Sequence, residues 1–163
     1  MKMIDYIFTT LLWFSALGSG LVAGLFFAFS TFIMTAFSRI PPAQGISAMQ
    51  STNSTIVHSL FMPLFFGTAL ASLLVAGVGV VRWDQPGALV MLAAGGIYFI
   101  GMFLCTIVFN VPLNNRLAAV DPESPEAALV WSRYLKVWTA WNHLRTIAST
   151  AACGLFITVI TVA

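Results

Sequence analysis

The chain has 163 residues, of which 60% are hydrophobic and 7% charged, and its formal net charge is +2. A soluble domain carries about 25% charged residues, so this composition excludes an ordinary soluble enzyme and points to a membrane protein. The small, scattered positive charge excludes nucleic acid as a partner, and the length suits one domain, 1–163.

Lys2 precedes an apolar run over about 6–37. That run is far longer than the roughly 7–15 residues of a signal-peptide core, so it reads as a retained membrane helix. Spanning the hydrocarbon takes about 20 apolar residues. Runs at about 6–37, 60–81, 88–109 and 141–162 meet that length or nearly do. About 32 residues of helix would reach about 48 Å, so the first span must tilt, protrude or bend. The segment GSGLVAG (18–24) is its expected weak point, because glycine weakens a helix. Ala16, Gly20, Gly24 and Ala28 recur every four residues, a stripe that lets a neighbouring helix approach closely.

Pro41–Pro42 ends the first helix and can open another. Along that second helix Ile46, Met49, Asn53, Ile56 and Leu60 share one face, which should point inward. Ser47, Ser51, Ser54 and His58 lie on a different face, turned to water or headgroups. Arg82, Asp84 and Pro86 make a short turn between spans two and three. Pro112 lacks an N–H and disfavours helix at Val111, so the third helix should end or kink near Asn110. Asn110 and Asn114 carry amides that could satisfy freed backbone groups or hold a ligand. Thr106 lies one turn before Asn110.

Ser124 is a candidate N-cap, followed by Pro125 and Glu126. Ala127, Trp131, Tyr134, Leu135 and Trp138 then form an apolar stripe on a helix that should run unbroken into the fourth span. Trp138, Asn142, Arg145 and Ser149 share a face, with Thr139, His143, Thr146 and Thr150 on the adjacent one. Ala140, Leu144, Ile147, Ala151 and Leu155 are left for lipid. Cys105 and Cys153 match no metal or redox spacing and read as packing thiols rather than a disulfide.

The expected fold is all-α: an integral membrane four-helix antiparallel bundle, with helical connections between spans 1–2 and 3–4. That topology carries Asn53, Asn110, Asn114, Asn115, Arg116, Asn142, His143 and Arg145 to one end of the bundle. The other end offers Lys2, Asp5, Arg82 and Asp84. Counting Lys and Arg near the spans favours the amide-rich end as cytoplasmic. Ionisable groups inside a membrane are costly. The cluster is therefore either a functional chamber or a hydrogen-bonded fastening of four helix ends.

Three segments carry a resemblance: NVPLNNRLA (110–118), the W-x-x-x-N-x-x-R spacing of Trp138, Asn142 and Arg145, and PPAQGISAMQSTN (41–53). Through them the chain resembles the anthrone oxygenase-like family of small four-helix membrane proteins. The resemblance implies oxidation of anthrones to anthraquinones with molecular oxygen and without a cofactor or metal. The substrate would be a hydrophobic aromatic, anthrone- or hydroquinone-like, arriving through membrane lipid. In that chemistry His143 would be the base, imidazole being the side chain that titrates nearest neutrality. Arg145 and Asn142 would stabilise the oxyanion. Asn53, Asn110 and Asn114 would orient ketone and phenol oxygens, and Trp138 and Trp141 would line the slot. The expected location is a bacterial inner (plasma) membrane, and a homo-oligomer stays open. One alternative is a non-catalytic protein that binds a lipid or quinone or supports a partner complex. Another is a haem or metal bundle using His58 and His143, against which the outward phase of His58 argues. A transporter is disfavoured by the lack of membrane-centre acids and of an internal repeat.

Overall fold

A computed structural model describes residues 2–162, and among them every regular element is helical. Helix α1 runs from Lys2 to Ser38 in three parts: an α-helix over Lys2–Ala28, a π-helical turn over Phe29–Ile33, and an α-helical end over Met34–Ser38. Helix α2 is Pro42–Ile56 and α3 is Phe61–Val81. Helix α4 starts as α-helix over Ala88–Tyr98 and widens into π-helix over Phe99–Leu104 and Thr106–Asn110. It ends as α-helix over Val111–Ala118. Helix α5 is continuous over Ala127–Val162.

Four stretches are long and apolar enough to cross a membrane: Asp5–Ser38, Phe61–Val81, Ala88–Ala118 and Ala127–Thr161. Their outer faces are apolar, with Leu17, Leu21, Phe32, Leu70, Leu74, Ile100 and Ile147 all exposed. A contiguous apolar surface of that kind needs lipid around it, and the chain is an integral membrane protein. The interior is built from all four spans. Val22, Phe65, Val75, Tyr98, Met102, Phe156 and Val159 form its middle. A second cluster, with Phe29, Ile46, Met49, Leu117, Trp131 and Trp138, fills the end where α2 lies.

Small residues set the helix spacing. A Cβ on Gly95 of α4 would overlap the Ser72 carbonyl of α3, and one on Gly79 would sit 2.6 Å from the Ala88 carbonyl. Gly87, with φ of 85°, makes the left-handed turn that starts α4. Gly45 lies under the Trp131 ring, where an added Cβ would come within 2.8 Å. This lets α2 lie flat on α5.

Several expectations change. The segment 18–24 is unbroken α-helix, and α1 widens one turn later, at Phe29–Ile33. Gly18 and Gly20 do meet neighbours, Thr68 and Cys153, but nothing lies within 4 Å of a Cβ on Gly24. The four-residue stripe therefore drifts off the contact, because the helix turns by 3.6 residues rather than 4. Helix α4 neither ends nor breaks at Asn110. Its two π-helical stretches precede Pro112, and α-helix resumes at Val111. As expected, the helix of the second connection runs unbroken from Ala127 into the fourth span, and the end of α4 extends into the same connection from the other side. Ser124 does not cap α5. Its hydroxyl bonds the Asp121 carbonyl at 2.8 Å, and the helix starts at Ala127. Leu60 is exposed rather than inward, because α2 stops at Ile56.

Candidate functional site

At the amide-rich end α5 carries Asn142 and Arg145 into the bundle interior, where they are 0% and 3% exposed. Asn142 is saturated. Its Nδ2 donates to the Phe26 carbonyl and to Ser30 Oγ, both at 2.7 Å, and its Oδ1 accepts from Arg145 Nη2 at 2.8 Å. The α1 partners flank the start of the π-helical turn, a widening that recurs at functional sites. Arg145 Nη1 donates to Thr106 Oγ1 at 3.3 Å, and that hydroxyl donates to the Met102 carbonyl at 2.8 Å. The guanidinium lies 4.0 Å over the Phe26 ring and 5.0 Å over the Trp138 ring. Its Nε has no partner. Among the described residues no acid bonds this cation; the Asn142 amide, the Thr106 hydroxyl and two ring faces hold it instead.

Beside Arg145 is a cavity of about 200 Å³. Phe26, Phe29, Met49, Ile56, Phe61 and Phe65 make its apolar walls; Thr52, Asn53, Thr106, Asn114 and Arg145 supply polar groups, and Trp138 closes one side. Among the described residues, Arg145 is the only charged one in the lining. Four lining residues, Val57, Phe66, Ile107 and Val111, also reach the outer surface. They mark a lateral mouth where the start of α3 faces the Thr106–Asn110 part of α4.

Of the residues expected to form the site, Asn53, Asn114, Trp138 and Arg145 come together around the cavity. Asn142 stands behind Arg145 and touches it. Asn110 is fully buried but does not line the cavity. Its Nδ2 donates to the Trp138 carbonyl at 3.3 Å, fastening α4 to α5. Trp141 also lies outside the lining and stacks on Phe109 with centroids 3.8 Å apart. His143 is exposed on the outer face of α5, so the expectation that it faces inward is corrected. One residue of helix turns a side chain by about 100°. With Asn142 aimed at α1, His143 is carried out of the bundle. His58 is exposed, as its helical phase indicated.

Four contributors escaped the sequence reading. Ser30 and the Phe26 carbonyl receive Asn142, although nothing in a run of apolar residues marks them. Gln50 donates to the Leu117 and Val120 carbonyls, both at 2.9 Å, and so caps the end of α4 from α2. Tyr134 was legible only as part of an apolar stripe, yet its hydroxyl bonds Asn114 Oδ1 at 2.8 Å.

Fold and site together define a small four-span membrane bundle whose apolar cavity is headed by one buried arginine. Residues 49–155 match the anthrone oxygenase family, and the chain belongs to it. The match takes in the segments around Asn110 and Trp138 and begins inside the 41–53 segment. No curated protein and no solved structure matches the chain.

Proposed function

We propose that the cavity takes a flat hydrophobic aromatic ketone from the membrane and that Arg145 promotes its oxidation by molecular oxygen. The observation that carries this reading is the single buried guanidinium in an otherwise uncharged lining. An anthrone has a ketone conjugated to a doubly benzylic CH₂. Loss of one C–H proton leaves an enolate, whose charge collects on oxygen. A fixed cation in a water-poor site stabilises that oxyanion far more than it would in water. The electron-rich carbon then adds oxygen, and loss of water leaves the second carbonyl. The balance is R₂CH₂ + O₂ → R₂C=O + H₂O: one oxygen atom enters the quinone and one leaves as water.

Among the described residues no imidazole or carboxylate lines the cavity, so in this reading the proton leaves to water at the mouth, and Arg145 supplies the driving force by lowering the energy of the anion. Asn142 positions the guanidinium. The volume of about 200 Å³ lies below the roughly 300–1,000 Å³ of drug-sized sites, which favours a compact ring system over a long lipid. The same lack of a base favours a second reading, binding of a quinone or ketone without turnover.

Oxygen uptake with anthrone in detergent separates the two. Catalysis predicts uptake above the protein-free rate, falling on the order of 10²-fold in Arg145→Ala, the loss typical of one oxyanion donor. Uptake equal to the protein-free rate refutes catalysis and leaves binding.

A further inference from the structure

Behind the part of the cavity wall that Asn114 forms lies a residue the oxidation chemistry does not use. Tyr134 of α5 is 2% exposed and does not line the cavity. Its ring is stacked between Trp131 and Trp138, with centroids 5.7 Å away on both sides and interplanar angles of 14° and 19°. The hydroxyl therefore has little freedom, and it reaches Asn114 Oδ1 at 2.8 Å. Asn53 of α2 lies beside the same hydroxyl. Both asparagines line the cavity.

A primary amide offers one acceptor oxygen and two N–H donors, and it can turn either toward a ligand. A tyrosine hydroxyl donating to the oxygen removes that choice. With Oδ1 of Asn114 engaged by Tyr134, the group Asn114 has left to offer is its NH₂. The guanidinium of Arg145 offers donors only. The two ends of the cavity's polar equipment then ask for the same thing, an oxygen that accepts. We propose that Tyr134 is a positioning residue that locks the Asn114 amide with its NH₂ toward the cavity, which selects ligands carrying acceptor oxygens (ketone, quinone or enolate) over hydrocarbons of the same outline.

The inference rests on the cavity being the aromatic-binding site, so the test scores the two separately. Anthrone and anthracene share the three-ring frame and differ in the oxygen. Their affinities are measured under nitrogen by quenching of tryptophan fluorescence, with the full chain in lipid nanodiscs. Wild type should bind anthrone more tightly than anthracene. Tyr134→Phe keeps the stacked ring and removes only the hydroxyl. It should weaken anthrone roughly three- to tenfold, the worth of one net hydrogen bond, and leave anthracene unchanged. Asn114→Leu, which spares the aromatic stack, should give the same selective loss even if Tyr134→Phe folds poorly. Adding Tyr134→Phe to Asn114→Leu should cost no further anthrone affinity, because the hydroxyl acts only through the amide. Equal weakening of both probes, or no weakening of anthrone in either variant, overturns the positioning role. Failure of wild type to bind either probe overturns the cavity reading and the inference with it.

Discussion

Replacing Asn142 by alanine is the sharpest test of how this end of the bundle is held. The side chain makes two neutral hydrogen bonds to α1 and accepts one from Arg145. Hydrogen bonds between membrane helices average about 0.6 kcal/mol and reach about 1.7, so the two neutral bonds together contribute about 1–2 kcal/mol. A bond to a charged group is worth about 1.5–3 kcal/mol, and its loss leaves Arg145 with Thr106 as its one hydrogen-bonding neighbour. The expected destabilisation is about 3–5 kcal/mol. Ser30→Ala removes the hydroxyl that accepts from Asn142 and also bonds Thr146 Oγ1 at 3.0 Å, and it should cost about 1–2 kcal/mol. Reversible unfolding in mixed micelles, or steric trapping, measures both. Equal losses in the two variants would refute the claim that Asn142 is the hub, and a loss below about 1 kcal/mol for Asn142→Ala would refute the whole arrangement.

His143→Gln should leave oxygen uptake, ligand affinity and stability unchanged within about 0.5 kcal/mol, as for other exposed positions; a tenfold fall in uptake would restore the histidine as base. Trp141→Ala removes a stacked pair worth about 0.5–1.5 kcal/mol beyond its area. Thermal unfolding should register that loss while anthrone affinity stays at the wild-type value. Gly95→Ala and Gly96→Ala are neighbours with opposite surroundings: a Cβ overlaps the Ser72 carbonyl at the first and meets nothing within 4 Å at the second. The first should lose about 1–3 kcal/mol, as overpacked sites do, and the second should be neutral. Equal behaviour would contradict the close α3–α4 contact.

The four spans were legible because twenty apolar residues in a row have few soluble uses. The meeting of Asn53, Asn114, Trp138 and Arg145 was legible too, since loop topology chooses the end and helical phase chooses the face. His143 shows where phase reasoning loses resolution. Asn142, His143 and Arg145 span a wide arc, and a polar residue near a helix's membrane boundary serves headgroups as readily as an interior. The walls of the cavity were not legible. Phe26, Phe61 and Phe65 line it, while Phe27 and Phe32 reach the outer surface; in lipid both environments accept the same residue type. The carbonyl that receives Asn142 is a backbone group, so no side-chain pattern could announce it.

The three π-helical stretches have a consequence for how this sequence can change. A π turn takes up about one residue more than an α turn over the same axial rise. The stretches over Phe99–Leu104 and Thr106–Asn110 therefore act as length adjusters between the glycine contacts of α3 with α4 and the amide of Asn114. Deleting one residue inside them would convert π to α locally and leave both flanks intact in composition. The widened turn itself absorbs the lost residue, so everything beyond keeps its phase and Asn114 stays on the cavity wall, whereas the same deletion in an α-helical part would rotate everything beyond by about 100°. The residue count is therefore free to change by one at these turns, while the identities of Met102, Thr106 and Asn110 are held by their contacts.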